Sequence, residues 1–132
     1  MKILVYGLSG SGKTTFSKNL KNANNKLDHY EADIVREAFN DWSFDKTARE
    51  RQAERLLALC NLSNLQNKIG IADFICPYDK YRNDYDIKIF MNTVKESKYK
   101  DTDNIFENTN NFDFEITNFN YDRIIKKIIN EF

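Results

Sequence analysis

Three of the four glycines in this chain, Gly7, Gly10 and Gly12, fall within six residues of one another. They come directly after the apolar run Lys2–Tyr6 (KILVY) and directly before a segment with helical spacing. Few folds accommodate that arrangement. A short β-rich apolar run bounded by glycine reads as a strand covered on both faces, and such strands belong to parallel sheets flanked by helices. From Lys13, Phe16, Leu20 and Ala23 recur at three- and four-residue spacing, and Asn22, Asn24 and Asn25 close the helix. Gly7-Leu8-Ser9-Gly10-Ser11-Gly12-Lys13-Thr14 satisfies G-x-x-x-x-G-K-[ST] in full, in the strand–loop–helix context that the pattern requires.

The chemistry of such a loop follows from its residue types. Glycine lets backbone pass close to a phosphate without a Cβ in the way. The N–H groups of Gly7, Ser9, Gly10, Ser11, Gly12, Lys13, Thr14 and Thr15 can then face the anion, helped by the positive end of the helix dipole. Lys13 offers a cation between the β- and γ-phosphates, and the Thr14 hydroxyl is a hard oxygen suited to Mg²⁺. The reading is a nucleoside-triphosphate site, with ATP and Mg²⁺ as the expected cofactors.

The rest of the chain alternates strand and helix signals. Leu27–Glu31 reads as a second strand, and Asp33 as the N-cap of a helix through Val35, Ala38 and Phe39. Thr47–Asn67 reads as a long helix with Ala53, Leu56, Leu57, Cys60 and Leu65 as its apolar stripe. Ile69–Cys76 (IGIADFIC) is a buried strand stopped by Pro77, followed by a short helix near Tyr78–Tyr85 and a strand Ile87–Asn92. Thr93–Asn111 is polar and irregular, Phe112–Thr117 alternates like a strand, and Tyr121–Phe132 is an amphipathic helix with Ile124, Ile125, Ile128 and Ile129 inward. The expected architecture is a single α/β domain over 1–132, a P-loop NTPase fold with a parallel sheet of about five strands flanked by helices.

Composition narrows the partners. Twenty basic and twenty acidic residues cancel, which speaks against a general nucleic-acid or membrane-surface binder. Cys60 and Cys76 form no spaced pair, and His29 is the only histidine, so neither a disulfide framework nor a zinc cluster is expected. Two isolated cysteines in apolar segments fit a reduced, cytoplasmic setting. The N-terminal run reads as a strand and not as a targeting segment. A GTPase would pair the loop with a base-reading N-K-x-D signature, and a motor ATPase with an apolar strand ending in Asp-Glu; the expectation is that the chain has neither, since Asp73 in IADF, the nearest candidate for the second, has no following acid. A small-molecule kinase is the class that remains.

At this point the residues resemble a known family. Gly7–Thr15 (GLSGSGKTT) is similar to the phosphate loop of adenylylsulfate kinases. Their Asp-Gly-Asp-x-x-Arg element is echoed by Glu31-Ala32-Asp33-Ile34-Val35-Arg36, and their Gly-Phe with a following Arg and Asn by Ser43-Phe44, Arg49 and Gln52. Their Ile-Ser-Pro-[FY]-x-x-x-Arg is echoed by Ile75-Cys76-Pro77-Tyr78-Asp79-Lys80-Tyr81-Arg82. The four blocks run in order over about residues 1–93.

The resemblance implies transfer of the ATP γ-phosphoryl group to the 3′-hydroxyl of adenylylsulfate, a small anionic acceptor. It implies Lys13 and Asp33 as catalytic groups, with Asp33 orienting the attacking hydroxyl. Arg36 and Arg49 would hold the sulfate–phosphate group, Phe44 would stack on the acceptor base, and Gln52, Ile75, Pro77 and Arg82 would shape the acceptor site. Homodimers are common in the family. The chain departs from the pattern where Glu31-Ala32 replace Asp-Gly, and where the family's long basic lid shrinks to Thr93–Phe106, with Lys95, Lys98 and Lys100 as its cations and no glycine. Those departures keep two other readings in view: a kinase for a nucleoside, sugar or polynucleotide end, and a nucleotide-binding module without catalysis.

Overall fold

A computed structural model describes residues 1–132. Five strands, β1 (Lys2–Tyr6), β2 (Leu27–Glu31), β3 (Ile69–Asp73), β4 (Ile87–Met91) and β5 (Phe114–Ile116), form one sheet in the order β2-β3-β1-β4-β5. Every neighbouring pair is parallel, with Val5 opposite Asp73 and Glu31 opposite Asp73 at the carboxyl ends of the three strands. The helices are α1 (Lys13–Ala23), α2 (Ala32–Phe39), α3 (Lys46–Leu65), α4 (Asp79–Arg82), α5 (Lys100–Ile105) and α6 (Asp122–Ile129). The sequence reading of an all-parallel five-stranded α/β fold holds.

The connection from β1 runs towards one edge and that from β3 towards the other, so their helices cover opposite faces. Alternation along β1 shows the division. Ile3 and Val5 pack with Phe16, Leu20, Ile125 and Ile128 on the α1–α6 face. Leu4 and Tyr6 pack with Ala53, Leu56 and Cys60 on the α3 face. Where adjacent connections diverge, a crevice opens at the carboxyl ends of the strands, and that is where such sheets bind ligands.

Several boundaries and burial expectations change. Helix α2 starts at Ala32, so Asp33 lies in its first turn and is not its cap; the N-cap is Glu31, whose side chain makes no capping bond. Phe39 is exposed, with the Arg55 guanidinium over its ring, and Ala38 is exposed too. Helix α3 is capped by Asp45, whose carboxylate accepts from the Ala48 N–H at 2.8 Å. Its Leu65 is 83% exposed and no part of the stripe. Strand β3 ends at Asp73, and Phe74–Cys76 leave the sheet before Pro77 is reached. Thr93–Asn111 is not wholly irregular, since it contains α5.

Gly70, the fourth glycine, sits at a close contact between α3 and β3. A Cβ there would meet the Cys60 Cα at 2.6 Å, so the missing side chain is what lets α3 lie against β3. Cys60 and Cys76 are buried and unpaired. No helix is long and apolar enough to cross a membrane.

Candidate active site

The loop between β1 and α1 is shaped by its glycines. Gly7 has φ +151°, and a Cβ there would sit 2.5 Å from the Met91 carbonyl oxygen, so only glycine fits. Gly12, φ +91°, is the N-cap of α1. Its missing side chain leaves room for the Phe119 ring, one carbon of which would otherwise lie 2.8 Å from a Cβ. Ser11 is buried, and its Oγ has no partner in the protein. The Thr93 hydroxyl donates to the Ser11 carbonyl at 2.8 Å and ties the loop to the end of β4. Lys13 Nζ donates to the Leu8 carbonyl at 2.9 Å, folding back over the loop it serves. Burial pushes the Lys13 pKa below the ordinary lysine value, against the opposing pull of the Asp73 and Asp33 carboxylates.

Strands β3, beside β1, and β2, beyond it, bring further groups to this loop. The Thr14 hydroxyl donates to Asp73 Oδ2 at 2.9 Å, and His29 Nε2 lies 2.8 Å from the same oxygen. Asp73 is almost fully buried, yet it lines the cavity. It is in contact with the one hydroxyl expected to bind metal. A hydroxyl and a carboxylate side by side at the mouth of a phosphate loop form a hard-oxygen donor set that fits Mg²⁺. His29 braces that carboxylate.

From the loop one cavity of about 570 Å³ runs on across the sheet's carboxyl edge. Ser9, Gly10, Lys13 and Thr14 line it together with Asp33, Arg36, Phe44, Arg49, Gln52, Ile75 and Pro77. Asp33 is exposed and accepts no hydrogen bond within the protein, which leaves its carboxylate available. Gln52 is buried and donates to the Ala32 carbonyl at 3.0 Å, fixing the start of α2.

Arg36 and Arg49 both meet the cavity and the 41–45 loop. Arg36 Nη1 donates to the carbonyls of Asp41 (3.3 Å) and Ser43 (2.8 Å). Its Cζ stands 4.3 Å from the Phe44 ring centroid. Arg49 Nε donates to the Phe44 carbonyl at 2.6 Å, and its Nη2 to Thr102 Oγ1 at 3.2 Å. Asp41 is held in turn by Arg51 and Arg55, each at 2.8 Å. Those guanidinium contacts hold the Asp41 carboxyl well below the usual carboxylate range. Each cavity arginine keeps N–H groups beyond these bonds, so loop anchoring and anion binding are compatible.

One expected acceptor-site residue does not face the cavity. Arg82 is fully buried and does not line the cavity. It donates instead to the carbonyls of Cys76 (3.0 Å), Pro77 (3.2 Å) and Glu107 (2.8 Å), so it cannot touch a ligand. Trp42 is 47% exposed and lines the cavity, an addition to the residues expected there. Sequence reading also missed Tyr99, Asp101 and Thr102, which close the cavity from the start of α5. Lys95, Lys98 and Lys100 do not line it, and Lys100 pairs with Glu96 at 2.8 Å. The signal available for Trp42 was its place two residues before Phe44 on a polar loop; nothing local marked α5.

The expectation that N-K-x-D is absent is corrected: Asn25-Lys26-Leu27-Asp28 matches it in letters. It enters β2 at its amino end, and Lys26 lines a separate cleft with Met1 and Lys68. In a parallel sheet that is the end opposite the phosphate loop, so it cannot read a base held there.

Comparison with solved structures finds the same fold in several small-molecule kinases. An APS (adenylylsulfate) kinase from Mycobacterium tuberculosis, a Cys556Ala mutant by its own numbering, superposes with TM-score 0.70 at 20% identity, over 98% of this chain and 94% of that one. A hexameric APS kinase from Thiobacillus denitrificans gives 0.74 at 20% identity, over 98% of this chain and 28% of that one. A shikimate kinase from Aquifex aeolicus gives 0.68 at 16% identity, over 99% and 95%. Identities this low speak for the fold alone. Comparison with curated proteins finds no match. The family model for adenylylsulphate kinase matches residues 1–113. With the fold, the phosphate loop and that match in agreement, the chain is a P-loop kinase, an ATP-dependent phosphotransferase acting on a small molecule, and it belongs to the adenylylsulphate kinase family.

Proposed function

We propose that the chain transfers the γ-phosphoryl group of ATP to the 3′-hydroxyl of adenylylsulfate. The observation that carries this reading is the continuity of one cavity from Lys13 and Thr14 to Asp33, Arg36, Phe44 and Arg49. Loop amides and the Lys13 ammonium neutralise the phosphates as charge shifts during transfer. Thr14, supported by Asp73, would hold Mg²⁺, which supplies further neutralisation of the β- and γ-oxygens when bound. Asp33 accepts a hydrogen bond from the attacking hydroxyl and aligns it. Arg36 and Arg49 bind the sulfate–phosphate anhydride through paired N–H groups, and Phe44 offers its ring to the base. Gln52, Ile75 and Pro77 bound the acceptor. If adenylylsulfate is the acceptor, the chain serves sulfate assimilation, and its two buried free thiols fit a cytoplasmic setting.

The direct test is ADP release with adenylylsulfate against a panel of shikimate, nucleosides, sugars and a polynucleotide 5′ end. The expected result is saturable turnover with adenylylsulfate alone. Turnover of another acceptor with none of adenylylsulfate would replace the acceptor and leave the phosphotransferase intact.

A further inference from the structure

Arg82 is the largest fully buried side chain in the molecule, and the chemistry above makes no use of it. Its surroundings are specific. Nε donates to the Cys76 carbonyl at 3.0 Å and Nη2 to the Pro77 carbonyl at 3.2 Å. Nη1 donates to the Glu107 carbonyl at 2.8 Å and reaches Asp79 Oδ1 at 3.4 Å. The guanidinium rests against two rings, 4.4 Å from the Tyr6 centroid and 4.8 Å from that of Phe106. Three separated stretches thus meet at one planar cation: the end of β1, the turn after β3 and the segment after α5.

The turn it grips is strained. Cys76 has φ +47°, in the left-handed region that non-glycine residues avoid. It also precedes a proline, a position biased towards extended backbone. Such a conformation persists only where its surroundings hold it, and residues held in this way gather at ligand sites. Cys76 and Pro77 line the cavity, and so do Tyr99, Asp101 and Thr102 at the start of α5. The link to α5 is short: the Glu107 N–H donates to the Pro77 carbonyl at 2.9 Å, one residue beyond Phe106.

We propose that Arg82 is a positioning residue for the acceptor half of the cavity, fixing the Cys76–Pro77 turn on one side and the α5 segment on the other in a single arrangement. It touches no substrate. Its fork of N–H groups is what the task requires, because carbonyls from two segments must be held at once in one plane. A lysine could satisfy one or two of them but not set their angle. The ATP half of the cavity is built on the loop after β1, on α1 and on Asp73, to none of which Arg82 donates a hydrogen bond; it meets β1 only at the Tyr6 ring. Its loss is therefore expected to fall on the acceptor and not on ATP. This inference rests on the acceptor reading above.

The test compares the parent with Arg82→Lys and Arg82→Met. Three quantities are measured: the KM for adenylylsulfate, the Kd for ATP, and the quench by adenylylsulfate of Trp42, the chain's single tryptophan, which lines the cavity. Arg82→Met is expected to raise the acceptor KM at least tenfold while the ATP Kd moves less than twofold; Arg82→Lys falls between. If Arg82→Met does not fold, Arg82→Lys carries the comparison. Equal weakening of ATP and acceptor, or no change in the acceptor KM in a folded variant, overturns the proposal. Failure of the acceptor reading shows itself separately, as a parent protein inert towards adenylylsulfate. The proposal is then judged on the acceptor found in the panel by the same two constants.

Discussion

Replacing Gly70 by alanine tests how closely the fold is built around one missing side chain. Gly70 carries no positive φ, so alanine meets no dihedral penalty, and the whole cost comes from packing. The added Cβ would lie 2.6 Å from Cys60 Cα, 2.8 Å from its Cβ and 2.9 Å from its Sγ. Ordinary carbon contacts need about 3.5–4.0 Å, so α3 or β3 must move by roughly an ångström. Overpacking of this kind costs about 1–3 kcal/mol. Alanine returns about 0.4–1 kcal/mol by narrowing the unfolded ensemble. Taking the middle of each range, the net loss is roughly 1.3 kcal/mol, which for a domain of this size lowers the melting midpoint by about 4–7 °C. Thermal unfolding followed by circular dichroism reads the shift directly. Cys60→Ala in the Gly70→Ala background should recover only part of it, because the shortest contact is to helix backbone and not to sulfur. A midpoint equal to or above the parent's, or complete rescue by Cys60→Ala, would refute the reasoning.

Further outcomes follow from Lys13 and from the two thiols. Lys13→Met is expected to lower turnover by about 10²–10³-fold or more while the fold survives, since the ammonium serves the phosphates and not the core; steady-state kinetics with a melting control checks this. Because burial lowers the Lys13 pKa, ATP affinity should begin to fall below pH 10.5, the ordinary lysine value, as the ammonium is lost. The sign for stability is the reverse. Across that window the unfolded chain binds more protons at Lys13, so the parent should gain stability relative to Lys13→Met as pH rises, read by paired denaturant titrations. Burial also pushes both thiols, Cys60 and Cys76, up to about 12. Neither should react with a thiol–disulfide reagent at pH 8 until the chain unfolds, and rapid labelling of the native protein would contradict the burial.

The sequence by itself determined the strand–loop–helix start, the parallel α/β class and the phosphate-binding chemistry. These rest on local rules: glycine where no Cβ fits, apolar runs where both faces are covered, and a lysine and threonine at set offsets from the loop. It also ordered Asp33, Arg36, Phe44 and Arg49 along the chain, and the structure brings them to one cavity. Only the tertiary structure decided what distance in sequence conceals. Arg82 follows Pro77 at the spacing of a ligand-facing residue, yet it is drawn inward because carbonyls from two segments need a common donor. Asp73 gains its meaning from Thr14 and His29, which the sheet register sets beside it. Trp42 and Tyr99 stay exposed because they rim a cavity whose walls come from opposite ends of the chain. A side chain's propensity is local, but its partners are set by strand order and packing, and a single sequence does not print those.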